Sequence, residues 1–119
     1  MKGIDTYRKV SVTTQSKGRL IVMLYEGAIK FLKKAIEEIE NKNYEAKNNY
    51  IIKAQDIIKE LNVVLDFDSA PEMSANLRKL YLFMEKHLSE ANVKSDSQRV
   101  REVIKLLEEL NSGWKAITN

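Results

Sequence analysis

The chain has no cysteine. It therefore has no disulfide framework, no thiolate metal site and no cysteine nucleophile. Four glycines and one proline punctuate 119 residues. That is too little turn material for an all-β fold, and it favours long helices. The single histidine, His87, follows Met84 by three positions. A di-iron bundle needs Glu-x-x-His on two helices, so that reading fails. No apolar run reaches the roughly 18 residues of a membrane span. Residues 1–10 lack the apolar region of a signal peptide. A glycine-rich phosphate loop is also missing. Neither sign of charge dominates, with 20 basic and 17 acidic residues and a net charge of +3. Lys30, Lys33 and Lys34 are answered by Glu37, Glu38 and Glu40, and Lys33–Glu37 has the i,i+4 spacing worth about 0.2–0.5 kcal/mol. Nucleic-acid binding asks for a one-signed stripe with stacking aromatics, which this pattern does not supply. The expectation is a soluble, cytoplasmic, non-enzymatic domain with no metal or cofactor, no nucleic-acid partner and no membrane insertion.

What the chain does have is helical periodicity. In residues 17–41, Leu20, Leu24, Ala28, Phe31 and Ala35 recur at the three-and-four spacing of a core-facing stripe. Val22, Tyr25, Ile29 and Ile36 form a second stripe, rotated by roughly 100–160° from Leu24. One stripe suffices for a surface helix of a small bundle, so the second requires another cover. That cover is expected from the chain's own ends or from a partner helix.

Three further helices follow. Residues 44–66 carry Tyr50, Ala54, Ile57, Ile58, Leu61, Val64 and Leu65 on one side. Residues 71–92 carry Met73, Leu77, Leu80, Tyr81, Met84, Leu88 and Ala91, with Leu82 and Phe83 off that stripe. Residues 96–117 carry Val100, Val103, Ile104, Leu107, Leu110, Trp114 and Ile117. Ser16 reads as an N-cap, and Ser69/Glu72 and Ser95/Gln98 have capping-box spacing. Short connections make neighbouring helices antiparallel. The fold class is all-α: an up-down-up-down four-helix bundle over residues 16–119 with an N-terminal cap over residues 1–15. Within the cap, Ile4, Tyr7 and Val10 share one side, and Val10 to Thr14 favour an extended stretch. The cap is expected to act as an autoinhibitory lid.

His87 opens one alternative. A lone histidine on the third helix of a four-helix bundle invites a phosphotransfer reading, which needs an exposed imidazole and a nearby cation. Glu90 follows within a turn and would repel phosphate. A self-associating structural bundle, forming a homodimer through its second stripe, is the other alternative.

Several runs resemble the FliS family of flagellin export chaperones. They are Tyr7, Leu20-Ile21, the run from Met23 to Ala28, Asn76-Leu77, Leu80-Tyr81 with Met84, Leu88, Ala91-Asn92, Leu106-Leu107 and Trp114. The family often has Ala-Ser-Pro before its first long helix and Gly-Gly before its third. Here Gln15-Ser16-Lys17 and Ala70-Pro71 stand at those places. The resemblance implies a cytoplasmic protein that binds the disordered C-terminal segment of flagellin. It would prevent premature polymerisation and assist delivery to the flagellar type III export apparatus. Val22, Tyr25, Ile29, Ile36, Leu82 and Phe83 are the partner-binding candidates in that scheme, and Ile4, Tyr7 and Val10 the displaceable lid.

Overall fold

The computed structural model describes residues 2–118, with side chains from residue 17 onward. Four helices follow one another: α1 (Lys2–Glu40), α2 (Tyr44–Val63), α3 (Pro71–Lys94) and α4 (Ser97–Thr118). The backbone of α1 packs beside α2, α2 beside α3, α3 beside α4 and α4 beside α1, while the diagonal pairs stay apart. This closed square with short antiparallel connections is the up-down-up-down bundle that the periodicity predicts.

The connections are tight for local reasons. At the end of α1, Asn43 N–H donates to Glu38 O at 2.9 Å and Lys42 adopts φ 58°. This left-handed ending satisfies carbonyls that the helix leaves unpaired. Asn43 then caps α2, its side chain accepting from Ala46 N at 3.4 Å. The α3–α4 turn repeats the device: Ser95 has φ 51°, and Asp96 N–H donates to Ala91 O at 2.9 Å.

Three start signals differ from the expectation. Asp96, rather than Ser95, caps α4, its Oδ1 accepting from Gln98 N at 3.0 Å and Arg99 N at 3.4 Å. The N-cap of α3 is Ala70, which makes no side-chain bond, with Pro71 in the first turn. Helix α1 starts at Lys2, so Val10 to Thr14 are helical rather than extended and Ser16 is not a cap. The three-and-three spacing of Ile4, Tyr7 and Val10 was already helix-compatible. Their side chains lie outside the described residues.

The core is built from Ile21, Tyr25, Ala28, Leu32 and Ala35 of α1, Ile51, Ala54, Ile58 and Leu61 of α2, Tyr81, Met84, Leu88 and Ala91 of α3, and Val100, Val103, Ile104 and Leu107 of α4. The buried line of α1 therefore runs between the two expected stripes. It takes Tyr25 from one and Ala28 and Ala35 from the other. The remaining members flank it. On the α2 side, Phe31 stacks on Tyr50 with centroids 6.1 Å apart. On the α4 side, Ile29 faces Glu108, Asn111 and Ser112. Ion pairs Lys115–Glu26 at 3.2 Å and Arg101–Glu40 at 3.4 Å close that same seam. The second stripe has its cover within the bundle. A helix at the corner of a square meets two neighbours and needs a wide apolar arc.

Helix α3 is joined to its neighbours by polar contacts. Gln55 donates to Glu85 O at 3.0 Å and Ser89 Oγ at 2.9 Å, and Asn92 Nδ2 donates to Asn48 Oδ1 at 2.6 Å. The buried Lys47 donates to Asn92 O at 2.7 Å, satisfying a carbonyl at the end of α3. Gly27, costly in a helix interior, is not needed for the close approach of another backbone. A Cβ there would meet only the tip of Ile57, at 3.3 Å.

Candidate functional site

At one end of the bundle the helices leave an apolar cavity of about 390 Å³. The middle of α1, at Lys17 to Ile21, the start of α3 and the ends of α2 and α4 meet there. Ile21, Leu61, Val64, Leu65 and Leu77 form its walls, and Tyr81 and Trp114 close it below. Met73 and Ile117, both largely exposed, stand at its mouth with Lys17. Gly18 keeps this end narrow on one side. A Cβ there would come within 3.2 Å of the Thr118 side chain that ends α4.

The loop 64–70 shapes the opposite rim. Asp66 Oδ1 accepts from Ser69 N at 3.0 Å, and Asp66 O accepts from Ser74 Oγ at 2.9 Å. The Ser69 backbone N–H, helped by the Ser69 side chain, holds the Asp66 carboxyl below the usual carboxylate range. Further along α3, off the cavity-lining side, Leu82 and Phe83 are exposed, 52% and 49% accessible.

Beneath the cavity lies a buried polar cluster that sequence reasoning missed. The Tyr25 and Tyr81 hydroxyls share a hydrogen bond, with ring centroids 6.5 Å apart. The Trp114 indole stands near the Tyr25 hydroxyl and slightly favours its ionised form, against the larger effect of burial. Burial raises the pKa of both tyrosines, Tyr81 the more strongly. Periodicity placed Tyr81 and Trp114 on core stripes but could not show that they meet Tyr25. The available signal was a polar-tipped aromatic at a core position on three helices, since such a tip needs a partner when buried.

The candidate contacts divide. Tyr25 is 0% exposed and is not a surface residue. Its spacing from Val22 and Ile29 put it on their stripe, but the helix is rotated so that Tyr25 points inward. Val22, Ile29 and Ile36 are half-buried, the two isoleucines packing against the core. Ile29 lines a shallower, more polar groove between α1 and α4, with Lys30, Lys33 and Glu37 along it. Leu82 and Phe83 are the two candidates the structure leaves on the surface. His87 stacks on Phe83 at 5.0 Å, and its side chain is only 16% exposed. Its Nε2 lies 3.5 Å from Glu102 Oε1 and makes no hydrogen bond. A carboxylate against a covered imidazole is a poor setting for an incoming phosphoryl group. Among the described residues, no group of three or more metal-ligating side chains gathers, and no helix is long and apolar enough to cross a membrane.

The family model described as "Flagellar protein FliS" matches residues 1–119. The chain belongs to the FliS family. A relative from Bacillus subtilis (strain 168), named "Flagellar secretion chaperone FliS", is 39% identical over 109 residues, 92% of this chain and 80% of that protein. A FliS of the same description from Salmonella typhimurium is 36% identical over 121 residues, covering 98% and 90% of the two chains. A solved structure described as "Crystal structure of flagellar chaperone from bacteria" superposes with a TM-score of 0.78 over 85% of this chain and 82% of that one, at 18% identity. At that identity the likeness concerns the fold. The FliS assignment rests on the sequence matches along the whole chain.

Proposed function

We propose that this FliS-family chain is a cytoplasmic export chaperone that binds the C-terminal segment of flagellin, holds it from polymerising and helps deliver it to the flagellar type III export apparatus. The observation that carries the reading is the apolar cavity at the open end of the bundle; Leu82 and Phe83 add exposed apolar surface elsewhere on α3. A disordered amphipathic segment that folds on binding needs an apolar groove into which its side chains insert. A cavity walled by Leu61, Leu65 and Leu77 offers one. Burial there supplies the free energy that offsets the ordering of the segment. Binding, not catalysis, is the whole activity in this account.

Residues 1–15 are the proposed cover. They continue α1 ahead of Lys17 and Gly18, which line the cavity; the lid requires the helix to break near that point, so that Ile4, Tyr7 and Val10 fold back to the mouth. Short terminal segments open locally at low cost. The incoming flagellin segment would displace them.

One set of titrations with a flagellin C-terminal peptide tests both parts. Met73→Asp and Ile117→Asp place charge at the cavity mouth without touching the core, and should weaken binding by about 2 kcal/mol or more. Replacing Ile4, Tyr7 and Val10 together by serine should tighten it, because the competitor is removed. Unchanged affinity in the charged variants would take the cavity out of the site. Weakened or unchanged affinity in the triple variant would end the lid.

A further inference from the structure

Helices α1 and α3 occupy a diagonal of the square, and their backbones do not meet. Two side chains nevertheless join across that diagonal, Tyr25 and Tyr81, hydroxyl to hydroxyl. Trp114 of α4 lines the cavity together with Tyr81. Beyond this cluster, away from the cavity, the core is filled by Ala28, Leu32 and Ala35 on α1 and by Met84, Leu88 and Ala91 on α3, all fully buried. Two tyrosines meeting tip to tip hold the two helices apart at their own level. On the other side of the cluster lies the cavity.

An apolar cavity is unfavourable to keep, because its lining forfeits dispersion contacts and the surrounding structure relaxes to fill it. Something must resist that relaxation. The hydrogen-bonded cluster has the position and the chemistry. Buried hydroxyls are costly to unpair, so collapse of α3 into the cavity would break a bond that nothing nearby replaces.

We infer that Tyr25 is a positioning residue of the cavity: bonded to Tyr81 across the diagonal, it holds α1 and α3 apart so that the binding cavity stands preformed. It touches no ligand and acts through Tyr81, which with Trp114 closes the cavity. Preformation spares a binding partner the cost of opening the site. The inference rests on the flagellin reading only for the identity of the partner. The strut itself concerns the cavity.

The experiment separates the two. The full chain is titrated with 1-anilinonaphthalene-8-sulfonate, a probe of apolar cavities, and separately with a flagellin C-terminal peptide. Wild-type protein should bind the dye saturably, with energy transfer from Trp114, the single tryptophan. Tyr25→Phe and Tyr81→Phe keep the rings and remove one hydroxyl each. Each should weaken dye and peptide binding by about ten-fold at unchanged helicity, since affinity gained by preorganisation is lost. The double variant should be no worse than either single one, because both remove the same bond. A merely structural role predicts a lower melting temperature with dye affinity within about two-fold of wild type, and that result overturns the strut. A wild-type chain that does not bind the dye overturns it too. If the phenylalanine variants fail to fold, Tyr25→Met, at a residue that does not line the cavity, takes their place. Dye binding about ten-fold weaker at unchanged helicity then supports the strut, and affinity within about two-fold of wild type overturns it. Dye binding that behaves as expected, with no peptide binding by wild type, supports the strut and ends the flagellin reading.

Discussion

Lys42 holds φ 58° at the end of α1, a conformation that costs an L residue about 1–2 kcal/mol. Gly113 sits inside α4, where a Cβ would meet nothing within 4 Å. Each residue occupies the place that intrinsic preference would give the other. Lys42→Gly should stabilise the chain by about 1 kcal/mol, and Gly113→Ala by a similar amount, about 1 kcal/mol. For a domain of this size each raises the melting temperature by about 4 °C. A drop in either thermal melt would contradict the backbone assignments. The tyrosine pair makes a pH prediction at the same scale. Burial raises both pKa values in the folded state. The unfolded chain therefore ionises first as pH rises. Stability from the neutral pair is fully present below the ordinary tyrosine value of about 10 and is lost as pH climbs above it toward the folded values. Denaturant midpoints followed from pH 8 upward should fall above about 10 in wild type and fall less steeply in Tyr81→Phe. Equal slopes would contradict the buried pair.

At the scale of the element, α1 shows what periodicity can and cannot convey. Spacing alone made residues 20–36 a helix with a wide apolar arc. It gave most of the other three core stripes, including Ile58 and Leu61, Met84 and Leu88, Val103 and Leu107, but it missed the buried Ile51 and included Met73 and Ile117, which are exposed. It did not say which part of the arc meets which neighbour. Phe31 goes to Tyr50 on α2, Ile29 goes to the α4 seam, and the true core line of Ile21, Tyr25 and Leu32 lies between them. Ring topology, invisible to a single helix's pattern, sets that division. The cap signals misled because Asp96 and Ser95 are adjacent, and a side-chain cap and a left-handed ending compete for such neighbours. The cavity was illegible for a related reason, since it exists only where the ends of three helices converge on the middle of α1. Leu82 and Phe83 were legible, because residues off a stripe have nothing to face. The contrast between seam and surface is testable. Ile36→Ala should lower stability by about 1–3 kcal/mol, as loss of a partly buried isoleucine does. Leu82→Ser and Phe83→Ser should each stay within about 1 kcal/mol and weaken flagellin-peptide binding instead. Urea unfolding and peptide titration on the same samples separate the two effects. A seam variant as stable as wild type would show that the second stripe is not covered by α4.

On the scale of the whole molecule, the bundle is closed at one end and open at the other. The closed end has its helix termini satisfied by Asn43, Asp96 and Lys47. The open end gathers apolar wall residues around a cavity and leaves the start of α3 without a side-chain cap. That asymmetry suits a protein whose stable half holds a receptive half in shape. Family membership along residues 1–119 sets the biological frame, and the open end supplies the physical means. The central claim is that a flagellin C-terminal segment folds into that apolar surface. Calorimetric titration of the full chain with that peptide over a range of temperatures, with circular dichroism on the same mixtures, tests it most directly. The account predicts saturable binding, a negative heat-capacity change and helix content above the sum of the parts. A cooperatively folded chain that gives no saturable heat, or binds with no gain in helix, would contradict it.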